Sequence, residues 1–468
     1  MTTTYETIVH DLFSKTLSRV HLTKKPQIFS YVRKLKQIDP HLFYKNGSKI
    51  FQGERFFWKD SNSSTYLVGL GAAYTIRTDE KETRFEEIDT QWKRLTEEIV
   101  LYNPYENIIG TGPLLLGGFA YDHLNEPEEE WSHFSKGLFQ LPTFMLSKVD
   151  DEYFLTINLF VSPLLDENEL RRLDEMSLTL LEGENKEVTA PTIYKATEKD
   201  GERWKQLIAD LVDEMNEDST FKKVVMARKM KLMYDQPFPS DVAIERLLER
   251  QYDSFVFSLE ALNSCFLGAT PERLVKKKGD QVYSTCLAGS IGRGHSLSYD
   301  NELGEELLHD KKNQEEHQLV VDVIASTMSS FCRDVSIPSS PKLLKMKDIQ
   351  HLFTPVTGTL DGDYSLIHMV EKFHPTPALG GVPRERAMNA IRDKEEMDRG
   401  FYAAPIGWID YNGNGDFAVA IRSGLLYQNE AYLYSGCGVL KDSTPESEYE
   451  ETSIKFRPML RALGGMKE

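Results

Sequence analysis

The feature that most constrains the fold is the direct succession of strand-like segments in the second half of the chain. Alternating or continuously apolar runs occupy residues 221–234, 254–260, 265–270, 416–427 and 431–440. Most of these runs adjoin one another, whereas a doubly wound α/β protein would place a helix between them. The pattern therefore predicts an α+β protein built on antiparallel sheets.

Helical periodicity predicts helices over residues 5–20, 87–103, 200–217 and 298–333. The polar, proline-interrupted segment 181–200 is the best candidate for an internal boundary. Three more strands are expected upstream of it, at 66–76, 114–122 and 153–161.

Composition argues against several classes of partner. The chain has 468 residues and a net charge of −18, whereas nucleic-acid binding needs a basic face. No apolar run reaches the roughly 18 residues of a membrane span, and the N-terminus does not resemble a secretory signal. Four cysteines without metal-like spacing are expected to be reduced and buried, so a cytoplasmic location is predicted.

Two predicted helices could place carboxylates around a cation. Glu448, Glu451 and Lys455 recur at i, i+3 and i+7 and share one helical face. Glu316 and Asn313 lie in line with the apolar stripe of the long predicted helix. Inward carboxylates on two helices suit a hard cation such as Mg²⁺. The alternative is that these acids are solvated, or are favoured only by the helix dipole in a first turn.

Two strand segments could bind an anion. Alternation places Ala418, Ala420 and Arg422 on one face, so a guanidinium stands beside a hollow. Gly436 and Gly438, in SGCGV, are expected to form a turn that presents backbone N–H groups. An arginine facing water and a tight strand exit would explain the same patterns.

Three titratable residues are candidates for catalysis or binding. Lys223 begins a predicted strand, and a lysine that points into a pocket can act as a base. Glu272 follows a proline at a strand exit, where functional groups often lie. His351 has no interpretable periodicity. A solvated lysine, a solvated loop acid and a structural histidine are the simpler alternatives.

The order of these segments resembles that of the chorismate-utilising enzymes, which include isochorismate, salicylate, anthranilate and aminodeoxychorismate synthases. The match spans about residues 200–465, and the N-terminal part matches more loosely. The motifs that carry it are, in order, KVVMAR, GATPERL, LAGSIGRG, DKKNQEEHQLVV, IQHL, FHPTPALGGVPRERA, YAAPIGW, AVAIRSG, SGCGV and STPESEYEETSIK.

The resemblance implies one large α+β unit of the anthranilate-synthase-like fold. Two antiparallel β-sheets are expected to pack face to face, with helices outside and the pocket between the sheets. A β-rich N-terminal portion, residues 1–190, would pack on the same body as the catalytic portion, residues 200–465. The segment 181–200 would then be internal to that body.

The resemblance also implies roles for the candidate residues. Glu316 and Glu451 are expected to bind Mg²⁺ directly, and Glu448 and Asn313 to contact it partly through water. The metal is expected to hold the ring carboxylate of chorismate.

Two further positions match the catalytic pair of the family. Lys223 matches the general base of members that add water, and Glu272 matches the acid that protonates the departing C4 hydroxyl. The substrate is expected to contact Gly289, Ser290, His351, Tyr402, Arg422, Gly436, Gly438 and Lys455.

These roles imply an Mg²⁺-dependent isomerase that makes isochorismate from chorismate. It would add water at C2 and release the C4 hydroxyl, and no obligatory protein partner is expected. Ala378, Leu379 and the long N-terminal half favour the isochorismate synthases of menaquinone biosynthesis. A salicylate synthase and a siderophore-pathway isochorismate synthase are the alternatives.

Overall fold

A computed structural model of the protein describes residues 2–183, 188–198 and 200–466. Residues 184–187 and 199 of the predicted boundary lie outside this range. The described residues form eleven α-helices: α1 (Thr2–Thr23), α2 (Pro40–Asn46), α3 (Arg84–Glu97), α4 (Glu169–Leu181), α5 (Gly201–Glu217), α6 (Ser240–Arg250), α7 (Leu297–His309), α8 (Lys311–Ser329), α9 (Leu366–Phe373), α10 (Arg384–Lys394) and α11 (Pro445–Ala462).

The same residues form 21 β-strands, most of which directly follow another strand. They are β1 (Gln27–Leu35), β2 (Arg55–Lys59), β3 (Thr65–Thr78), β4 (Val100–Tyr102), β5 (Leu114–Phe119), β6 (Gly137–Val149), β7 (Glu152–Val161), β8 (Ile193–Glu198), β9 (Lys223–Tyr234), β10 (Phe255–Ala261), β11 (Ser264–Thr270), β12 (Arg273–Lys278), β13 (Gln281–Gly292), β14 (Cys332–Ser336), β15 (Lys342–Lys345), β16 (Ile349–Leu360), β17 (Gly381–Val382), β18 (Pro405–Asp410), β19 (Gly415–Val419), β20 (Ser423–Tyr427) and β21 (Glu430–Val439).

Hydrogen bonds join all of these strands into one continuous network. Among the described residues, β1 and β4 form the one parallel pair, and the other pairs are antiparallel. The predicted α+β class is therefore confirmed. The strands are connected edge to edge by hydrogen bonds, so they belong to one sheet. Part of the predicted boundary itself belongs to the same network, because β8 lies within residues 181–200 and pairs with β9.

Apolar side chains are buried on both faces of the strands. Phe56 and Trp58 of β2 join the larger apolar cluster, whereas Phe57 between them joins a second cluster. Successive residues of a strand point to opposite faces, so this alternation places β2 between two cores. The second cluster lies under helices, including α1 and α11. The four cysteines are free and buried, as expected. No described helix has both the length and the apolarity that a bilayer span requires.

The prediction of one continuous helix over 298–333 is wrong, because this segment contains two helices, α7 and α8. It breaks at Asp310, whose backbone is extended and whose carboxylate accepts a hydrogen bond from the backbone N–H of Asn313 at 2.8 Å. An aspartate with these contacts caps a new helix and ends the previous one. The predicted helix over 87–103 is too long for a related reason, because α3 ends at Glu97 and β4 follows it.

Two strand predictions are also corrected near the C-terminus. The predicted strand 416–427 is two strands, because β19 ends at Val419 and β20 begins at Ser423. Arg422 lies in the break with a left-handed φ of +51°, so alternation does not place it beside Ala418 and Ala420. The SGCGV segment is not a turn, since it continues β21 to Val439.

A buried ion cluster connects a strand of the N-terminal part to the second half of the chain. The guanidinium of Arg55 contacts Asp241 at 2.6 Å and Glu260 at 2.7 Å, and all three side chains are at most 8% exposed. Its plane also lies 4.2 Å from the ring centroid of Tyr44. Removing the cation would leave two buried carboxylates without their partner.

We therefore expect Arg55→Met to lower the free energy of unfolding by about 3–5 kcal/mol, the usual cost of breaking a buried ion pair. Lys15→Met is the matched control, because Lys15 pairs with Asp11 at the surface. It should change stability by less than about 1 kcal/mol. Urea denaturation measures both, and equal effects of the two substitutions would contradict the role given to the buried cluster.

Candidate active site

A cavity of about 650 Å³ collects most of the residues singled out in the sequence. They come from strands and helices far apart in the chain. Antiparallel pairing of β13 with β16 sets Ser290 opposite His351, and pairing of β9 with β21 sets Val225 opposite Gly438. The predicted residues that line the cavity are Glu272, Gly289, Ser290, Glu316, His351, Tyr402, Arg422, Gly436, Gly438, Glu451 and Lys455.

Lys223 lies at the edge of this cavity and is bonded to one of its carboxylates. Its ammonium donates to Oε1 of Glu316 at 2.8 Å, and the lysine side chain is 1% exposed. Gly438 leaves room for this pair. A Cβ there would lie 2.5 Å from Oε1 of Glu316 and 2.9 Å from Cε of Lys223, so any other residue would force this pair to shift. The glycine thus serves the pocket by its lack of a side chain.

Two neighbouring acids stand at the start of α11, of which Glu448 is buried and Glu451 is partly buried. Glu451 pairs with Lys455 at 2.5 Å, and Glu448 pairs with Lys312 at 3.0 Å. Burial and the neighbouring Glu451 raise the pKa of Glu448. Burial also acts to raise the pKa of Glu451, but Lys455 and Ser290 outweigh it and hold that pKa below its usual value. Glu448 is therefore the carboxyl of the pair that binds a proton more readily.

The donor set fits a hard divalent cation. Glu316, Glu448 and Glu451 all act on the ammonium of Lys312, so the three carboxylates face one region. Each of these carboxylates is paired with a lysine. Among the described residues, no three His, Cys, Asp or Glu side chains are already arranged so that they could hold a metal ion. Carboxylate oxygens are the ligands that Mg²⁺ prefers.

Glu272 differs from these carboxylates because it makes no ion pair with the described residues. It lies between β11 and β12, it is 2% exposed, and its Oε1 has no hydrogen-bond partner. Burial raises the pKa of Glu272 to about 8, although the cations Lys223, Lys455 and Arg422 oppose the shift. At neutral pH this carboxyl carries a proton and can donate it.

Arg422 and His351 form a second polar group on the wall of the cavity. A guanidinium nitrogen of Arg422 lies 3.2 Å from Nε2 of His351. Burial, Arg422 and Lys455 hold the pKa of His351 well below its usual range, so the ring is neutral and Nε2 accepts the hydrogen bond. The left-handed backbone of Arg422 is costly for a residue with a Cβ, and such strain is concentrated at functional sites.

Asn313 shapes the cavity from outside it. Its side-chain oxygen accepts a hydrogen bond from the backbone N–H of Ser290 at 3.0 Å. This bond holds a β-bulge between Ala288 and Ser290, in which Gly289 adopts a φ of +77°. The bulge turns the backbone toward the cavity.

The aromatic wall and the backbone of β21 complete the predicted site. The rings of Tyr402 and Tyr434 stack at 5.3 Å, and the ammonium of Lys455 donates to the carbonyl of Gly436 at 3.0 Å. A Cβ on Gly436 would lie 3.1 Å from the hydroxyl of Tyr402. Close approach of this tyrosine therefore favours glycine at that position.

The sequence reasoning missed Arg399, which lines the cavity and is 1% exposed. It pairs with Glu395 and donates to the carbonyls of Leu379 at 3.1 Å and Val225 at 2.7 Å. Glu395 in turn accepts from the backbone N–H of Ala227 at 2.7 Å. The i, i+4 spacing of the glutamate and arginine was the available signal, but surface ion pairs show the same spacing.

Comparison with known proteins supports a single family. A family model described as chorismate binding enzyme matches residues 15–464. The chain is 42% identical over 442 residues to isochorismate synthase MenF of Bacillus subtilis, with 94% of each protein covered. It is 35% identical over 394 residues to the salicylate biosynthesis isochorismate synthase of Pseudomonas aeruginosa, which covers 83% of this chain and 81% of that protein.

Solved structures confirm the predicted architecture. MenF, the menaquinone-specific isochorismate synthase from Escherichia coli, matches with a TM-score of 0.77 and 22% identity, over 97% of this chain and 100% of that chain. Anthranilate synthase component I from Streptococcus pneumoniae matches with a TM-score of 0.70 and 19% identity, over 85% and 92% of the two chains. At these identities the likeness concerns the fold.

The environment of Glu272 predicts a measurable titration. In the metal-free protein, infrared difference spectra against Glu272→Gln should show a protonated carboxyl band at neutral pH, lost with a midpoint near pH 8. Because the folded pKa lies above the usual 4.5, the stability that Glu272 contributes relative to Glu272→Gln should fall as pH rises between these values. A midpoint below about pH 5 would mean that burial does not protonate this group.

Proposed function

The chain belongs to the chorismate-binding enzymes, and we propose that within this family it is an isochorismate synthase, an isomerase that converts chorismate to isochorismate. The observation that carries the proposal is the presence of the amine of Lys223 and the protonated carboxyl of Glu272 around one pocket. The reaction needs one group that takes a proton from water and one that gives a proton to a leaving hydroxyl. Relatives at 42% and 35% identity are both named isochorismate synthases.

Substrate binding is assigned to the cationic wall of the pocket. Arg422 binds the carboxylate of the pyruvyl side chain through its planar fork, and the neutral ring of His351 orients that fork. Tyr402 and Lys455 add hydrogen-bond donors on the same wall. The backbone of β21 at Gly436 and Gly438 lets the substrate approach closely, and Gly289 and Ser290 also line the pocket.

We assign the metal to the acidic side of the pocket. Glu316 and Glu451 would hold a Mg²⁺ ion, with Glu448 next to them. When bound, this ion would hold the ring carboxylate of chorismate and withdraw negative charge from the ring. Binding of the ion by Glu316 would relieve its ion pair with Lys223 and so make that amine available to water.

Lys223 and Glu272 carry the two proton transfers. Lys223, as the neutral amine, accepts a proton from a water molecule whose oxygen bonds to C2. Glu272 donates its proton to the hydroxyl oxygen at C4 as that C–O bond breaks, and the ring double bonds shift between the two sites. One water enters and one leaves, and the proton on Lys223 returns to Glu272 before the next turnover.

Menaquinone biosynthesis is the pathway that the relatives favour. Two curated relatives were compared above. MenF of Bacillus subtilis has a higher sequence identity to this chain, and covers more of it, than the relative named for salicylate biosynthesis.

Incubation of the protein with chorismate and Mg²⁺, followed by chromatography, tests the activity directly. Isochorismate is the expected product, and EDTA should abolish its formation. Salicylate and pyruvate would show a lyase instead, and no conversion of chorismate would refute the proposed activity.

Lys223→Ala should lower kcat by about 10²–10⁴-fold, because a general base contributes that much, while Mg²⁺-dependent binding of chorismate remains. The neighbouring Lys222 is exposed, so Lys222→Ala is the matched control and should retain full turnover. Steady-state kinetics and calorimetric binding measure the two quantities. Full turnover by Lys223→Ala would remove its role as the base.

Glu451→Ala should raise the Mg²⁺ concentration for half-maximal rate by about 10–100-fold, because it removes a carboxylate that binds the ion. Glu450→Ala is the control, since Glu450 is the exposed neighbour of Glu451 on α11. The measurement is the initial rate as a function of free Mg²⁺. If both variants matched the parent protein, the ligand assignment would be wrong.

A further inference from the structure

A second cavity, of about 1170 Å³, lies apart from the acidic side of the first pocket. Its lining comes from the start of α3, from the loop after β5, from the end of α9 and from the start of α10. Nothing in the proposed mechanism uses these residues.

Arg84 is a buried cation that makes no ion pair with the described residues, and the carboxylates of Asp122, Glu371 and Glu82 act on it only from a distance. Its side chain lines the cavity and the residue is 5% exposed. Its guanidinium donates one hydrogen bond, to the carbonyl of Lys81 at 3.2 Å, and its buried Nε has no partner. Burial lowers the pKa of Arg84 to about 10, which leaves it charged at neutral pH. A buried charge of this kind is costly unless an anion compensates it.

Two helix N-termini add to the positive potential at the same place. Arg84 is the first residue of α3 and Arg384 is the first residue of α10, and both line the cavity. Neither N-cap residue, Thr83 or Pro383, makes a side-chain capping hydrogen bond. The first backbone N–H groups of each helix are thus left for a ligand, and the two helix dipoles favour negative charge there.

The remaining charges at this cavity limit the charge of that ligand. Arg392 is already paired with Asp122 at 2.9 Å. Three carboxylates, those of Glu82, Glu371 and Glu385, also line the cavity, so the lining as a whole has no positive excess and the positive charge is local to Arg84 and Arg384. A ligand with one negative charge suits this balance better than a phosphate dianion does.

Apolar surface provides the other half of the site. Phe85 and Tyr121, both nearly buried, line the cavity together with Pro375. An arginine fork beside aromatic walls is suited to a planar carboxylate on an apolar body. We propose that this cavity is a second ligand site, which binds a small aromatic or alicyclic carboxylate on Arg84 and the N-termini of α3 and α10.

One wall of the proposed site is shared with the first pocket. The hydroxyl of Tyr121 donates to the carbonyl of Leu379 at 2.9 Å, and Leu379 lines the first pocket. His374, whose Nε2 lies 2.8 Å from the carbonyl of Tyr121, precedes that segment and lines the second cavity. The site itself does not depend on the proposed function.

The probe for the test is 4-bromobenzoate, because bromine can be located by anomalous scattering. Crystals of the full chain soaked with it should show a bromine peak in the second cavity, with the carboxylate on Arg84. In calorimetry, Arg84→Met should weaken this binding at least tenfold. Arg94→Met, at an exposed position on the same helix, should leave it unchanged.

Two further arms keep the test decisive. Arg384→Met alters the exposed rim of the cavity and should also weaken binding, which covers the case in which Arg84→Met does not fold. The neutral 4-bromobenzyl alcohol should not bind. The proposal is overturned if the bromine peak occurs in the first pocket alone, if Arg84→Met and Arg384→Met bind like the parent protein, or if inorganic phosphate binds more tightly than 4-bromobenzoate.

Discussion

The pocket depends on one electrostatic constraint, the burial of several carboxylates in one place. Taking a carboxylate out of water costs several kcal/mol unless a cation or hydrogen bonds compensate it, and a second carboxylate nearby adds repulsion. This constraint determines which residues can surround the acids. The compensation consists of three ion pairs, Lys223 with Glu316, Lys312 with Glu448 and Lys455 with Glu451. A divalent cation would compensate the same charges, which is why this side of the pocket suits Mg²⁺.

The same pocket holds a carboxyl that is left without compensation. Glu272 has cations near it, but its Oε1 has no hydrogen-bond partner among the described residues. Burial therefore has the larger effect and raises the pKa of Glu272. Glu451, which pairs directly with Lys455, has its pKa shifted in the opposite direction. Contact with a lysine is not sufficient by itself, because Glu448 pairs with Lys312 and still has a raised pKa through its burial and the neighbouring Glu451. Two carboxyl groups with opposite shifts can serve different chemical roles at a single pH.

Much of the fold followed from periodicity in the sequence. The strand 221–234 and the helix 200–217 agree closely with β9 and α5, because α5 buries one regular face and β9 is buried on both faces over its first six residues. The face shared by Glu448, Glu451 and Lys455 was likewise visible, since a helix repeats every 3.6 residues. That these residues lie near Glu316 was predicted only from the family resemblance, because a local sequence pattern does not indicate which distant residues pack together. Arg399 was missed for the same reason, since its backbone partners are distant in sequence.

The local predictions failed where the regular structure is interrupted around the pocket. A regular strand sends alternate side chains to opposite faces, so it cannot turn consecutive groups toward one substrate. The bulge at Gly289 and the left-handed Arg422 both break that alternation, and Asp310 restarts a helix so that Asn313 can hold the bulge. Each interruption has a local cost that the surrounding sheet supports. A pattern-based reading is therefore least accurate at the residues that form the site, because the site requires departures from the pattern.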